Sequence, residues 1–586
     1  MGPLIVGLPL LTLSDTKSSS IDDPAVTITS CLPDADPLSP QNLLLLKRWL
    51  GDCASRQHKY RHCPNMMPVR TKLPTRVVYV GTDDGQDPPR LYSGNGNIAG
   101  YTALTYCWGG FQTHQTEKNR IKRYMRALPV ERLPKSLRDA ILLTRALGIQ
   151  YIWIDSLCII QDCNEDKDRE MARMANIYKN AIFTIAAARA ESCDDGFLGV
   201  QEMRAGLLRI SIKLPMNCLN GAIGSVLLYL TRTQIGHENT PIDKRAWSYQ
   251  EQLLSRRVIS FFDDSIEWRC PSRHLSDDML ARKESGATDP VFLDEKTALS
   301  ERTSHMGRLL CLHSERKRKF PKHLANLSTV WWTAVREYTM GSLSNPDDRL
   351  PAIGGIASEF HDLSGDVYVA GLWMSNLIRD LQWSVYKQLE EPSNDTGNRD
   401  LKYDTPTWTW ASTHECTIWK YSEWYELDSD RVKIIDCKAN PVSALAPFGS
   451  VNGGELRIRA PLKLLSDRQV KEMLALGGRY SRFSFGEIFF DRESRRHADA
   501  LITRRCGAAP HIESTGIWFL GLSKHVDLDY ESSGLVLTKR VDGLFERIGV
   551  FMIFVGDAWL GYGSAEHDEL RSSWGDDYVV TDVTIV

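Results

Sequence analysis

The distribution of apolar and polar residues predicts alternating strands and helices between residues 101 and 188. Three short runs are almost entirely apolar, which is typical of strands covered by helices on both faces of a parallel sheet. These runs occupy residues 101–106, 151–155 and 181–188. Because amphipathic stretches separate them, the order strand, helix, strand, helix, strand predicts a parallel sheet with right-handed crossovers.

The two amphipathic stretches have the residue spacing of helices. The first begins at Pro134 and stops at Gly148, and the second covers Asp166–Asn180. Apolar residues three and four positions apart form one stripe on each helix, which predicts the face that packs on the sheet. The stripe residues are Leu137, Ala140, Ile141, Thr144 and Leu147 in the first helix, and Met171, Met174, Ala175 and Tyr178 in the second.

The α/β pattern has extensions on both sides. Residues 76–80 and 90–92 predict a β-hairpin across a turn-rich segment. Alternating stretches between about 190 and 243 predict a β-rich insertion. The α/β pattern then resumes with a helix and two strands, which we expect at Arg245–Leu254, Arg257–Phe262 and Ser265–Cys270.

Changes in composition along the chain predict five regions. They are a disordered leader, an N-terminal helix and hairpin extension, an α/β domain with its insertion, a helical region and a β-rich C-terminal region. Their limits are 1–42, 43–100, 101–275, 276–400 and 401–586. Within the helical region we expect helices at 323–340, 350–360 and 368–383.

The overall composition argues against several classes of function. The chain has 586 residues, a formal net charge of -3 and an isoelectric point of about 6.6, so its charge does not favour nucleic acid or an anionic membrane. No apolar run reaches the ~18 residues of a membrane span. The apolar N-terminus lacks the basic flank of a signal peptide, so we interpret it as a leader. Thirteen cysteines without a CxxC pair favour reduced thiols and a cytoplasmic location.

One cluster near the N-terminus has the residue types of a zinc site. Cys53, His58, His62 and Cys63 supply thiols and imidazoles within eleven residues of sequence. Their spacing matches no zinc-finger pattern, and a locally packed turn explains the same residues. Both interpretations stay open at this point.

Polar residues at the ends of the predicted strands are the candidates for chemistry. The apolar run Tyr151–Ile160 contains a single charged residue, Asp155, and the strand before it ends in Tyr106 and Trp108. In open α/β sheets, ligands bind at the carboxyl ends of the strands. Glu251 lies on the later helix, four residues after Trp247, so both side chains are on one face. A carboxylate among aromatic residues has its pKa raised by desolvation, or stays ionised and stabilises positive charge on a substrate.

Two simpler interpretations compete with chemistry at these positions. In the first, Arg245 forms a structural ion pair with Glu251 or Asp155, and the tryptophans only pack against their neighbours. Cys158 is a candidate nucleophile, but a cysteine in an apolar strand is usually an inert, small hydrophobic residue.

Four motifs, in this order, resemble the heterokaryon-incompatibility (HET) domain of filamentous fungi. They are YTALTYCWGG, LPKSLRDAILLTRALGIQYIWIDSLCIIQD, MARMANIYKNAIFTIAAA and RAWSYQEQLLSRRVISF, and they cover about residues 101–262. The downstream segments RLPAIGGIA, YVAGLWMSNLIRDLQW and PTWTWAS are similar to regions that accompany this domain in many fungal proteins. The resemblance implies a role in non-self recognition, in which the domain triggers cell death when incompatible cells fuse.

The resemblance also implies a fold similar to the Toll/interleukin-receptor (TIR) domain, in agreement with the α/β pattern. In TIR domains that cleave NAD, the catalytic glutamate lies in a W-C-x-x-E pattern at the start of a helix. Trp247 and Glu251 have the same spacing, with Ser248 in place of the cysteine and the insertion before the helix.

Two hypotheses follow from this resemblance. In the first, the domain hydrolyses NAD as a substrate, without a cofactor; Glu251 and Asp155 are catalytic, and the substrate is bound by Tyr106, Trp108, Arg245 and Trp247. In the second, the domain is a non-enzymatic module that signals through self-association and protein partners. A third alternative is a divergent relative that has lost the incompatibility function.

Overall fold

A computed structural model gives two compact units, residues 1–320 and 321–586, called here the N-terminal and C-terminal units. The residues that the structure describes are 11–15, 34–55, 70–84, 86–110, 112–200, 212–217, 223–230, 240–270, 273–277, 327–388, 405–413, 416–420, 430–466, 480–483, 486–490, 517–524, 530–540, 542–554 and 578–586. No helix among these residues is long and apolar enough to cross a membrane.

The described part of the N-terminal unit contains helices and strands in alternation. The strands are β1 (Leu11–Asp15), β2 (Thr71–Lys72), β3 (Arg76–Tyr79), β4 (Arg90–Ser93), β5 (Ile98–Ala99), β6 (Thr102–Thr105), β7 (Tyr151–Trp153), β8 (Thr184–Ala186), β9 (Ile212–Asn217), β10 (Ile223–Leu230), β11 (Val258–Phe261), β12 (Ile266–Cys270) and β13 (Arg273–Ser276). The helices are α1 (Pro40–Ala54), α2 (Ile121–Tyr124), α3 (Lys135–Ala146), α4 (Asp155–Cys158), α5 (Asn164–Met171), α6 (Met174–Asn180) and α7 (Ala246–Leu254), with 3-10 turns at Val130–Arg132 and Pro241–Lys244.

Eight of these strands form one mixed sheet in the order β13-β12-β11-β8-β6-β7-β3-β4. The four central strands, β11, β8, β6 and β7, are parallel, and the strands on both flanks pair antiparallel. Ala103 of β6 aligns with Trp153 of β7 and with Thr184 of β8, and these pairs define the register of the central strands. The prediction of an α/β fold with parallel strands is confirmed. The carboxyl ends of four strands therefore meet at one edge.

The core lies on both sides of these central strands. Helix α3 covers one side through its predicted stripe, whose five residues are all buried. A hydrogen bond of 2.9 Å between the Thr102 and Thr144 hydroxyls joins this helix to β6, and the Tyr101 hydroxyl donates to the Ile177 carbonyl oxygen at 2.7 Å. Burying each large aliphatic side chain of such a core contributes about 1.5–3 kcal/mol.

Several predicted elements have different limits in the structure. The strand predicted at 151–155 ends at Trp153, because Asp155 accepts a hydrogen bond from the Ser156 N–H and begins helix α4. The helix predicted at Asp166–Asn180 is two helices, α5 and α6, separated by Ala172 and Arg173. This break lets α6 turn its own apolar residues, Met174, Ile177 and Tyr178, towards the core.

The hairpin and the insertion agree with the sequence pattern. β3 pairs antiparallel with β4, which confirms the predicted hairpin. β11 and β12, both predicted as strands, pair antiparallel with each other. In the insertion, β9 and β10 pair antiparallel. β1, which lies in the segment that we expected to be a leader, adds a third strand by pairing with β10.

The described part of the C-terminal unit combines helices with a mainly antiparallel sheet. Its helices are α8 (Leu327–Tyr338), α9 (Pro351–Ser364) and α10 (Leu377–Asp380), with 3-10 turns at Pro346–Asp348, Met374–Asn376 and Trp410–Ser412. Its strands are β14 (Tyr368–Val369), β15 (Leu372–Trp373), β16 (Trp383–Gln388), β17 (Cys416–Lys420), β18 (Lys433–Pro441), β19 (Val451–Leu464), β20 (Tyr480–Phe483), β21 (Gly486–Phe490), β22 (Ile517–Lys524), β23 (Tyr530–Lys539), β24 (Phe545–Phe554) and β25 (Val579–Ile585).

The β-rich character predicted after Pro406 is present, since β18 to β25 form an eight-stranded sheet. The helix predicted at 368–383 is replaced by β14, β15 and the short helix α10. Positive φ angles at Ala370 and Gly371 make the tight turn between β14 and β15, which a continuous helix does not allow. The five domain limits derived from the sequence stay a prediction.

Candidate functional site

The carboxyl end of β6 supplies the first part of the site. Tyr106 is buried, and its hydroxyl donates to the Ser156 Oγ at 2.9 Å and accepts from the Gln112 Nε2 at 3.1 Å. The chain then leaves the sheet through Gly109, whose φ of 71° is in the left-handed region that favours glycine. This exit leaves the indole of Trp108, a half-buried side chain, beside the end of β7.

Asp155 follows the carboxyl end of β7, as its position in the sequence predicts. Its carboxylate accepts hydrogen bonds from the Trp108 Nε1 at 2.8 Å and from the Ser156 backbone N–H at 2.7 Å. Burial raises the pKa of Asp155, while Arg245 and these hydrogen bonds oppose the rise. Asp155 is 8% exposed, so its carboxyl group is largely shielded from solvent and fixed by these two hydrogen bonds.

Glu251 comes from helix α7, which enters the same region about a hundred residues later. The Thr105 hydroxyl, at the end of β6, donates a hydrogen bond to its Oε2. The Tyr178 hydroxyl of α6 donates to the Leu104 carbonyl oxygen at 2.9 Å, and its position beside the carboxyl group lowers the pKa of Glu251. Glu251 is 1% exposed. Three separate elements, β6, α6 and α7, therefore enclose the carboxyl group.

The start of α7 is organised by local hydrogen bonds. Thr240 and Asp243 form a capping box on the 3-10 turn before the helix. Ser248, at the position of the cysteine in the W-C-x-x-E pattern, donates from its hydroxyl back to the Arg245 carbonyl oxygen at 2.6 Å. These contacts fix the start of α7, where Arg245 is the N-cap residue and Trp247 lies in the first turn.

Arg245 connects the two carboxyl groups electrostatically. Its guanidinium donates to the Tyr106 carbonyl oxygen, at the end of β6. Burial by itself lowers the pKa of Arg245, but the charges of Glu251 and Asp155 raise it above its ordinary value. One cation thus acts through its charge on two buried carboxyl groups, so the structural ion pair stays an alternative to chemistry.

The electrostatics of Glu251 differ from those of an ordinary surface carboxylate. Its pKa is raised from 4.5 to about 7: burial and the negative charge of Asp155 raise it, and they outweigh Arg245, Thr105 and Tyr178, which lower it. A carboxyl group that titrates near neutral pH is able to donate or accept a proton under physiological conditions. Two carboxyl groups in different environments, at one edge of a parallel sheet, are suited to acid–base chemistry or to stabilising a cation.

Access to the site is through its half-buried members. Glu251 and Asp155 are buried, whereas Trp108, Arg245 and Trp247 are half-buried. The solvent-accessible part of the site is therefore formed by Trp108, Arg245 and Trp247.

Four residues of the site were not singled out by the sequence analysis: Thr105, Gln112, Ser156 and Tyr178. Thr105 and Ser156 are direct neighbours of predicted site residues, so their positions carried a signal. Tyr178 was assigned to the apolar stripe of its helix, and its ring does pack against Trp153 with centroids 5.5 Å apart. Nothing in the sequence indicates that its hydroxyl meets Glu251, because the two residues come from different helices.

The cysteines give no nucleophile at this site. Cys158 is fully buried, and burial raises the pKa of its thiol to about 12, which favours the inert interpretation. Cys107 lies at the end of β6, and burial raises the pKa of its thiol to about 11. Both thiols are therefore protonated at neutral pH.

Of the zinc candidates, the structure describes only Cys53. This residue is buried, and its Sγ accepts a hydrogen bond from the Arg257 Nε at 3.0 Å, so a cation of the protein already faces the thiol. His58, His62 and Cys63 lie outside the described residues. Within the described ranges, no three histidine, cysteine or acidic side chains are grouped so as to hold a metal ion.

A comparison with protein families identifies one segment. The family model described as "Heterokaryon incompatibility protein (HET)" matches residues 101–251. This segment begins just before β6 and ends at Glu251, so it contains Tyr106, Trp108, Asp155 and Arg245. No curated protein matches the chain, and no solved structure matches it.

Proposed function

We propose, from the heterokaryon-incompatibility domain that the chain carries over residues 101–251, that this protein acts in non-self recognition between fungal cells and triggers cell death. The proposal includes a TIR-like fold for the domain and a cytoplasmic location. The four central parallel strands and the helices between them support such a fold. The resemblance to TIR domains also supplies the reaction class.

The proposed reaction is hydrolysis of NAD at the bond between nicotinamide and ribose. The observation that carries it is the convergence of Glu251, Asp155 and Arg245 at the carboxyl edge of the parallel strands. When the C1′–N bond breaks, its electron pair leaves with nicotinamide, and positive charge develops on the ribose. Water then bonds to C1′ and loses a proton, so the products are nicotinamide, ADP-ribose and one proton.

Each polar group has a defined part in this scheme. Glu251 in its ionised form stabilises the ribosyl cation, and it accepts the proton of the attacking water because its pKa is near 7. Asp155 orients the ribose hydroxyls or the water. Trp108 and Trp247 offer aromatic surfaces to a planar base, and Tyr106 holds the loop after β6 through Ser156.

Arg245 controls access in this proposal. In the structure its positive charge acts on both carboxyl groups, and its side chain is half-buried. The pyrophosphate of NAD is a strong anionic partner for a guanidinium group. Binding of the pyrophosphate would draw Arg245 away from the carboxylates and free Glu251 for the reaction.

A second candidate is favoured by the burial of Glu251. Glu251 is 1% exposed and accepts a hydrogen bond from Thr105, which is also what a structural ion network requires. In that case the domain is a non-enzymatic module, which self-associates and passes the signal to protein partners.

One variant separates the two candidates. Glu251→Gln keeps the shape of the side chain and removes its negative charge, and Glu165→Gln, at an exposed position, is the matched control. Purified wild-type and variant proteins are incubated with NAD at high protein concentration, and nicotinamide release is followed; in parallel, each is expressed in fungal cells and survival is scored. Catalysis predicts that Glu251→Gln loses both nicotinamide release and killing while Glu165→Gln keeps both.

The opposite result supports the non-enzymatic module. If Glu251→Gln is folded by circular dichroism and still kills, the enzymatic proposal is wrong. If wild type releases no nicotinamide at any protein concentration yet kills cells, the same conclusion follows.

A further inference from the structure

A strongly basic segment lies along the chain between β6 and α3, and the proposed reaction uses none of its residues. Residues 117–132 contain six basic and two acidic residues, in a chain whose net charge is -3. The basic residues are Lys118, Arg120, Lys122, Arg123, Arg126 and Arg132, and the acidic ones are Glu117 and Glu131. Such a local excess of one sign of charge is a feature that the proposed reaction does not use.

Part of this segment lines a cavity of about 480 Å³ that is open to solvent. Its polar lining comes from Asn119, Lys122, Arg123 and Arg126, and its apolar lining includes Leu128. The three cationic side chains are exposed and converge on one concave surface. A cavity of this size is in the range of small-molecule sites, which are ~300–1,000 Å³.

The backbone that carries these cations is held in place by buried neighbours. Tyr124 is buried, and its hydroxyl donates to the His114 carbonyl oxygen at 3.3 Å. Leu128 is also buried, and its N–H donates to the Pro89 carbonyl oxygen at 2.8 Å, next to β4. The cationic side chains are therefore attached to an ordered segment, which lowers the entropy that a ligand must overcome on binding.

The charge of the cavity is not neutralised by the protein. Glu117, the acidic residue at the start of the segment, faces Arg120 at 3.5 Å. Among the ion pairs of the described residues, none includes Lys122, Arg123 or Arg126. Three like charges on one turn repel each other, so an anion bound between them stabilises the segment.

We propose that this cavity binds a small molecule, or a lipid headgroup, that carries several phosphate groups. Arg123 and Arg126 offer planar guanidinium groups that bind phosphate through paired hydrogen bonds, and Lys122 adds a compact charge. All residues that line the cavity come from positions 119–129, and none of them is aromatic. This short lining favours one compact ligand over an extended nucleic-acid strand, which needs a long basic groove with aromatic platforms. The site does not depend on cleavage of NAD.

The test measures binding of inositol hexakisphosphate to the full chain by calorimetry at roughly 0.15 M salt. The variant Lys122→Ala/Arg123→Ala/Arg126→Ala removes the cations of the cavity. The control Lys47→Ala/Lys72→Ala/Lys433→Ala removes the same charge from exposed positions elsewhere. We expect the cavity variant to bind at least about tenfold more weakly and the control to stay within about twofold of wild type.

Two further measurements define the ligand. The variant Arg123→Lys/Arg126→Lys keeps the charge and removes the paired hydrogen bonds, so we expect intermediate affinity. Sedimentation with phosphatidylcholine vesicles, with and without phosphatidylinositol bisphosphate, tests the headgroup: binding to the vesicles identifies a lipid source, and binding to the free polyphosphate alone identifies a soluble one.

Three outcomes would overturn the proposal. They are no binding of wild type to either probe, equal loss in the cavity variant and the control, and preferential binding of an acidic peptide or a single-stranded oligonucleotide. All variants retain the residues of the carboxyl-edge site, so nicotinamide release and killing are expected to be those of wild type. Failure of this proposal is therefore distinguishable from failure of the proposed reaction.

Discussion

Replacing Glu251 by glutamine is expected to change how the stability of the protein depends on pH. In the folded protein, burial raises the pKa of Glu251 from 4.5 to about 7. Between these pH values the folded chain holds a proton that the unfolded chain has released. The stabilising effect of that proton is fully present below pH 4.5, and it is lost as the pH rises through about 7.

The magnitude follows from the size of the pKa shift. One pKa unit corresponds to about 1.4 kcal/mol, so this group reduces the free energy of unfolding of wild type by about 3 kcal/mol across the interval. The neutral glutamine has no such dependence. The difference in stability between Glu251→Gln and wild type should therefore increase, in favour of the variant, by about 3 kcal/mol between pH 4.5 and about pH 8.

The assay is equilibrium urea unfolding of both proteins, followed by tryptophan fluorescence at several pH values. Asp155 is present in both proteins, so its own titration largely cancels in the difference. Glu165→Gln is the control, because the pKa of the exposed Glu165 is lowered by its local hydrogen bonds and its removal gives no gain with rising pH. A difference for Glu251→Gln that stays flat, or that falls with pH, would refute the reasoning and show that Arg245 outweighs burial.

Three further substitutions test the packing of the N-terminal unit, each by its thermal or urea unfolding midpoint. Gly51→Ala in α1 should stabilise by about 0.5–1 kcal/mol, because the added methyl group meets no atom within 4 Å; a loss of stability would contradict this. Gly109→Ala should destabilise by about 2–3 kcal/mol, since its φ is +71° and the new Cβ would lie 2.3 Å from the Ser192 Cβ; a neutral effect would mean that the loop shifts freely. Asp166→Asn should cost about 3–5 kcal/mol, because it leaves the buried guanidinium of Arg76 without its anion; a loss under about 1 kcal/mol would show that water replaces it.

Local patterns were sufficient to identify the central elements. A parallel sheet was predicted from the apolar runs at β6, β7 and β8 and from the stripe of α3. A strand that is covered by helices on both faces carries apolar side chains on both faces. The position of Asp155 after β7 then predicted the edge at which it would lie, since the carboxyl ends of parallel strands meet on one side of a sheet.

The residues at which helices and strands begin and end were harder to predict from the sequence. The end of β7 at Trp153 depends on the hydrogen bond between the Asp155 carboxylate and the Ser156 N–H, which competes with continuation of the strand. The division between α5 and α6 depends on which residues find room against the sheet. Both outcomes are set by packing rather than by periodicity.

The chemical state of the site depends entirely on contacts between distant parts of the chain. Thr105 and Glu251 are 146 residues apart, yet the hydroxyl of one donates to the carboxylate of the other. Burial, the charge of Asp155 and the guanidinium of Arg245 act together on one pKa, and none of these distances is encoded in residue spacing. Residue types and strand ends are local properties, whereas desolvation and electrostatic coupling exist only when the folded chain brings the groups together.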